Sequence, residues 1–261
     1  MRSLSIAATG MQAQQLNVEV ISNNIANMNT TGYKRQRAQF QDLLYQNLER
    51  PGASTSSAGT TAPMGIQIGI GVKAGAVARV TQQGSLERTD NTTDLAISGR
   101  GYFQVQMPDG TTAYTRAGNF AADADGRLVT SEGYPIEPAI TVPTEAISIS
   151  VSRDGVVEAT LQGQVEPQQL GQIEIAAFVN PAGLEAQGDN LFLETAASGS
   201  PNVSTPTSAG FGALLQGYLE TSNVNAVEEI SALIVAQRAY EMNAKVITAS
   251  DEMLQTATQV R

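Results

Sequence analysis

Residues 224–261 read VNAVEEISALIVAQRAYEMNAKVITASDEMLQTATQVR, with no Pro and no Gly. Ala226, Ile230, Leu233, Gln237, Tyr240, Ala244, Ile247, Asp251 and Leu254 follow one another at alternating steps of four and three. Most are apolar, and a repeat near 3.5 sustained this long predicts a helix that lies along another helix. Asn225 and Glu228 have the spacing of a capping box with Asn in the leading place. Glu228 and Glu229 put negative charge at the positive end of the helix dipole. At about 1.5 Å per residue the rod would run about 50 Å. That is longer than a chain of this size needs for its own core. A terminal helix packed on its own domain is the simpler alternative.

The other end of the chain carries the same alternation in Leu4, Ala7, Met11, Gln14, Val18, Ile21, Ile25 and Met28. Leu4, Met11, Val18 and Ile25 fall at seven-residue steps. Gln14, Gln237 and Asp251 interrupt the two seams with polar side chains, which cost stability but select register and partner. Such helices suit packing against copies of themselves.

Across 261 residues the net charge is −10 and the pI is about 4.5. The balance excludes nucleic acid as a partner, because a basic face supplies that affinity. Residues 1–50 carry five Lys/Arg against three Asp/Glu, and residues 224–261 three against five. The middle, with seven against seventeen, holds most of the acid. Cys and His are both absent, which removes disulfides, Ser-His and Cys-His catalysis and the usual zinc sites. Trp is absent too, and 24 Gly with 5% aromatics fit β structure rich in turns. No stretch reaches the roughly 20 apolar residues of a membrane span, so membrane insertion is not expected. Thr9, Gly10, Gln12, Gln14, Gln15 and Asn17 break the apolar run behind Arg2, so no cleaved signal peptide is expected.

The first helix should end near Asn27–Gly32, where Gly32 can take positive φ. Lys34, Arg35 and Arg37 follow. Phe40, Leu43, Leu44 and Leu48 have the spacing of a second short helix, with an extended arm as the rival reading. Pro51 to Pro63 has linker composition. Ile66, Ile68, Ile70 and Val72 predict a strand, and the glycines among them match no phosphate-binding fingerprint. From Ala76 to Leu193 the alternation is β, with hairpin turns at Asp109-Gly110 and Asp154-Gly155. Asp123-Ala-Asp125-Gly126 resembles the start of a calcium loop but lacks the later ligands, so it reads as a turn. The acidic pairs Asp123/Asp125, Glu228/Glu229 and Asp251/Glu252 read as solvated. No residue is nominated as acid, base or nucleophile, and neither cofactor nor metal is expected. A second linker is expected over 196–212.

The expected class is α+β, with long terminal helices forming a coiled-coil domain, a central β-rich domain and extended connectors. The boundaries are 1–32 for the first helix, 33–75 for a connector with a Ser/Thr/Gly-rich insert, 76–194 for the β-rich domain, 195–223 for a return connector and 224–261 for the last helix.

Three stretches resemble the axial proteins of the bacterial flagellum, the rod and hook family. They are Ser22-Asn-Asn-Ile-Ala-Asn-Met-Asn-Thr-Thr-Gly-Tyr-Lys-Arg35, Asp94-Leu-Ala-Ile-Ser-Gly-Arg-Gly-Tyr-Phe-Gln-Val105, and Gly217-Tyr-Leu-Glu-Thr-Ser-Asn-Val-Asn225 running on through Gln237-Arg-Ala-Tyr-Glu241 and Lys245-Val-Ile-Thr-Ala-Ser-Asp-Glu-Met-Leu254. The chain is most similar to rod members with one compact β domain and an insert after the first helical region, which Asn47–Met64 resembles; a proximal rod or hook-type member is the alternative within the family. The resemblance implies a self-assembling structural subunit without catalysis. It implies assembly roles for Leu4, Met11, Val18, Asn24, Ile25, Asn27, Gly32 and Tyr33. At the other end it implies them for Gln237, Arg238, Tyr240, Ile247 and Leu254, beside Ile230 and Leu233 of the seam. It implies terminal helices packed as a coiled coil lining a tube. The partners it implies are further copies, proximal rod proteins, the hook protein, the P and L ring proteins and the flagellar type III export apparatus. It places the assembly across the periplasm to the outer membrane. Two other classes stand beside it: a secreted β-rich binding module dimerised by its end helices, and an enzyme cutting peptidoglycan.

Overall fold

A computed structural model describes residues 2–49, 64–163 and 166–259. The chain divides into two compact units, one made of residues 1–25, 36–78 and 225–261, the other of residues 26–35 and 79–224.

The first unit contains two long helices, α1 (Arg2–Ala26) and α2 (Ala226–Gln259). Asn225 caps α2, its Oδ1 accepting the Val227 N–H at 3.1 Å, which satisfies one of the donors a helix start leaves open. The same unit holds an extended arm. Strands β1 (Gln36–Asp42) and β2 (Tyr45–Glu49) run out, and β3 (Ile66–Gly69) and β4 (Val72–Arg79) run back. β1 pairs with β4, and β2 pairs antiparallel with β3, Gln46 facing Ile68. The helical spacing of Phe40, Leu43, Leu44 and Leu48 is therefore overridden, and the extended reading is the one that forms. In β1 only every second residue is shielded, Gln36, Ala38 and Phe40, so its burial has the strand period of two. The strand expected over Ile66–Val72 is split at Ile70-Gly71, where Gly71 has φ +137°. The Pro51–Pro63 linker expected from composition lies outside the described residues.

The second unit is β-rich. Strands β5 (Leu86–Arg88), β6 (Leu95–Ser98), β7 (Tyr102–Gln106) and β8 (Thr112–Thr115) open it. Its main sheet orders Glu185–Gly188, Leu191–Leu193, β8, β7, Ile175–Ala177 and Asn202–Ser204, with Ile136–Glu137 paired to β7 off that path. β7 is the spine. Phe103 enters one core with Leu95, Ile97 and Ile175, Val105 is fully buried, and Tyr102 on the other face meets Phe178 and Phe192. A strand with apolar residues on both faces must be covered on both. Asp109-Gly110 and Asp154-Gly155 form the expected turns, with Gly110 at φ +83° and Gly155 at φ +84°. At Asp123-Ala-Asp125-Gly126 the two carboxylates turn to Arg127, at 3.2 and 3.1 Å. The stretch 195–223 contributes three strands, Asn202–Ser204, Ala213–Gln216 paired with β6, and Tyr218–Glu220 paired with β5.

Gly32 ends the turn after α1. It has φ +70°, and a Cβ there would lie 2.7 Å from the Ala117 backbone nitrogen. Gly32→Ala is expected to lower the stability of this unit by about 1–3 kcal/mol from the strained backbone alone. Urea unfolding followed by β circular dichroism checks this, and an unchanged midpoint would mean that the turn relaxes freely.

Candidate functional site

Contacts between α1 and α2 recur at seven-residue steps. Ser250 Oγ lies 3.4 Å from Ser3 Oγ. A Cβ on Gly10 would sit 2.9 Å from Asn243 Nδ2. Asn24 Nδ2 donates to Glu229 Oε2 at 3.1 Å. Each seven-residue advance on α1 is a seven-residue retreat on α2, so the helices run antiparallel, and the same register sets Asn17 opposite Ala236. The facing residues are therefore small or polar: Ser3, Gly10, Asn17 and Asn24 against Ser250, Asn243, Ala236 and Glu229. Buried Ala7, Ala13, Val20 and Ile21 add apolar packing on α1.

At one end of this ladder the Asn24 amide is fully bonded. Asn24 is buried, donates a further bond to Gln36 O at 2.8 Å and accepts the Gln36 N–H at 2.8 Å. Its amide thus behaves as a strand partner and fixes where the chain re-enters as β1. Thr9 Oγ1 accepts the Val72 N–H at 3.4 Å, tying the arm to α1.

The expected assembly residues fall around this ladder. Leu4, Met11, Val18 and Ile25 lie one step beyond its α1 members and are half-buried. On α2, Leu233, Ile247 and Leu254 are half-buried, while Ile230, Gln237, Arg238 and Tyr240 are exposed. Val18, Gln237 and Tyr240 meet in an open groove of about 500 Å³, with Gln15, Glu19 and Glu241 on its walls. Asn27, Gly32 and Tyr33 belong to the second unit, where Thr30 donates backbone and side-chain bonds to Asn27 at 3.1 Å and the Gly32 N–H donates to Glu220 O at 2.8 Å. Outside these positions α2 exposes Val235 at 67%, Met242 at 60% and Met253 at 63%. An apolar helix surface of that extent marks an interaction site.

The second unit is fastened by a group that pattern reading did not find. Glu220 accepts from Lys34 Nζ at 2.5 Å and from Arg116 Nε at 2.6 Å, all three side chains being buried. Its Oε1 also accepts the Gly84 N–H at 3.0 Å. Arg116 donates on to the carbonyls of Gly101 at 2.5 Å, Ile97 at 2.9 Å and Gly99 at 2.6 Å. Burial alone would raise the Glu220 carboxyl, but the guanidinium of Arg116 and the ammonium of Lys34 hold it below its ordinary value. Asn223 repeats the tie nearby, accepting the Arg35 N–H at 2.6 Å and donating to Val80 O at 3.0 Å and Gln82 O at 2.8 Å. Lys34 was legible only as one of a basic cluster, and Arg116 carried no periodic signal. Glu220 is an acid directly behind Tyr218 and Leu219, with nothing nearby in the sequence to pair it. Among the described residues no three acidic, His or Cys side chains converge as a metal site, and no helix is long and apolar enough to cross a membrane.

The sequence matches three family descriptions: flagella basal body rod protein over residues 4–34, flagellar hook protein FlgE/F/G D1 domain over residues 96–159, and flagellar basal body rod FlgEFG protein C-terminal over residues 215–260. Flagellar basal-body rod protein FlgG of Caulobacter vibrioides is 59% identical across 100% of both chains. The chain belongs to the flagellar FlgE/F/G rod and hook family. FlgG of Bacillus subtilis is 40% identical across 100% of this chain and 99% of its own. The hook-basal body complex protein FlhP of the same organism is 31% identical across 100% of both. In this flagellar family member the segment matched at the start ends on Lys34 and the segment matched at the end contains Glu220. The two partners of the buried ion pair therefore lie in separately matched stretches.

Glu220→Gln leaves Lys34 and Arg116 without a counter-charge, and a broken buried pair costs about 3–5 kcal/mol. The wild-type contribution is present above the ordinary carboxylate range and is lost as pH falls through the lowered native value. The variant should therefore be less stable at neutral pH and lose less stability on acidification. Denaturation midpoints from pH 7 to pH 3 check this, and parallel curves would remove Glu220 from the acid response.

Proposed function

We propose that this chain is a structural subunit that self-assembles into the distal rod of the flagellar basal body, the shaft that transmits torque to the hook. The observation that carries the reading is the distribution of side chains on α2. Its contact line to α1 is small and polar, while Ile230, Val235, Met242 and Met253 face outward. Long identity to FlgG proteins supplies the setting. Neighbouring copies would cover the apolar surface, packing the terminal helices as a coiled coil that lines a tube. Leu4, Met11, Val18, Ile25, Leu233, Tyr240, Ile247 and Leu254 would be buried in that assembly. Asn24, Asn27, Gly32 and Tyr33 would act by fixing the turn that follows α1. Residues 76–194 would face outward as the acidic body. Proximal rod proteins, the hook protein, the P and L ring proteins and the type III export apparatus are the partners this reading implies, in a shaft crossing the periplasm to the outer membrane. No catalytic role is proposed. A module dimerised by its end helices is less well supported, because the apolar residues lie on more than one side of α2.

Burying one seam side chain contributes about 1.5–3 kcal/mol, and in a polymer that loss recurs at every subunit. Leu233→Asp should therefore abolish polymer formation while β circular dichroism is retained. Glu158→Ala, on the strand Val156–Leu161, should leave assembly unchanged. Sedimentation and electron microscopy of both proteins decide it. Filaments from Leu233→Asp at wild-type concentration would overturn the seam.

A further inference from the structure

The face of α2 turned away from the groove carries its own apolar ridge. Ala232, Val235, Ala239, Met242, Val246, Ala249 and Met253 keep the alternation of three and four that marks a helix-packing stripe. Val235 and Met242 come one residue before the contact-line members Ala236 and Asn243, whereas Gln237 comes one after. One residue is about 100° of rotation on a helix, so ridge and groove lie on opposite sides of the line facing α1.

Charge distinguishes the two faces. The groove of Val18 and Tyr240 is flanked by Glu19 on α1 and Glu241 on α2. The ridge is flanked by Arg238 and Lys245, each three residues beyond Val235 and Met242 respectively. All four charged side chains are exposed, and none takes part in an ion pair among the described residues. The groove is apolar and acid-edged; the ridge from Val235 to Val246 is apolar and base-edged, with Glu252 taking the next place in that column beside Met253. Both belong to the same helix pair.

We propose that the α2 ridge of one copy seats in the α1–α2 groove of a second copy, with Arg238 and Lys245 meeting Glu19 and Glu241. This rests on the rod-subunit reading and adds the faces that join. The occupant of the groove is a second copy because this chain carries the surface of matching chemistry and opposite charge. A contact between two different faces is heterologous. It leaves a free groove at one end and a free ridge at the other, so it propagates instead of closing as a two-fold dimer does. Opposed rim charges set the register and exclude the mispaired arrangements in which like charges meet.

The test uses the full chain with paired charge reversals. Glu19→Lys with Glu241→Lys makes the groove basic, and Arg238→Glu with Lys245→Glu makes the ridge acidic. Each double variant alone should raise the concentration needed for sedimentable polymer by at least about tenfold. The quadruple variant should recover most of that loss, and an equimolar mixture of the two doubles should co-sediment. β circular dichroism controls for folding. The chain has no Cys, so a second readout is clean. Val18→Cys with Met242→Cys should give an oxidised ladder of dimers, trimers and longer species, and each single Cys at most a dimer. If wild type polymerises while the charge reversals have no effect, or the ladder stops at dimer, this inference falls and the subunit reading stands. If wild type forms no polymer at any concentration, the subunit reading falls and takes the inference with it.

Discussion

One carboxylate holds three distant passes of the chain together. Glu220 lies on the returning strand, Lys34 on the outgoing turn, and Arg116 at the end of β8 inside the β-rich unit. A buried charge left alone is costly, and a buried ion pair is stabilising only when its geometry and remaining hydrogen bonds are complete. Here they are. Two cations and the Gly84 N–H surround Glu220, and Arg116 spends its other donors on the carbonyls of Ile97, Gly99 and Gly101. The loop Gly99-Arg100-Gly101 is thereby tied to the place where the chain enters and leaves its β-rich unit.

The two units place their polar groups in opposite ways. The β-rich unit buries large apolar side chains on both faces of β7 and uses buried charge as a fastener. The helical unit puts serine, glycine and asparagine where its helices meet and leaves valine and methionine outside. Helices in isolation are held chiefly by the tertiary burial of an apolar face. A pair whose inner line is small and polar has little of that to offer by itself.

This arrangement explains what could be read in the sequence and what could not. The 3.5 repeat identified both helices, and the length of α2 and its freedom from Pro and Gly leave it no rival. The line that meets α2 within the chain lies one residue before that seam. Leu4, Met11, Val18 and Ile25 are the more apolar set, but Ser3, Gly10, Asn17 and Asn24 are the ones that face α2. Hydrophobic period locates the surface a helix wants to bury, and that surface need not face its own chain. The ridge at Val235 and Met242 escaped because a second stripe on one helix is invisible when the first is taken as the whole signal. Phe40 to Leu48 misled for a different reason: four apolar residues at helical spacing were outweighed by the pairing of β1 with β4 and of β2 with β3. The Glu220 cluster was beyond reach because its members are separated by 82 and 104 positions, and only the fold brings them together.

The inversion of the helical unit has a consequence for how growth is controlled. Ordering a long helix fixes the backbone of every residue in it, at about 1–2 kcal/mol each. A subunit whose own helix–helix line is weak cannot offset that from within, so much of the compensation must come from surfaces supplied by neighbours. An ordered end of a growing assembly already displays such surfaces, whereas a second free subunit must order its helices at the same moment. Addition to an end is then favoured over the joining of two free chains, and spontaneous nucleation is suppressed. A stronger internal line, with leucine at Asn17, would stabilise the solitary helix pair and weaken that distinction. The small polar ladder therefore makes physical sense as the condition for a subunit that should polymerise at an end and not in solution.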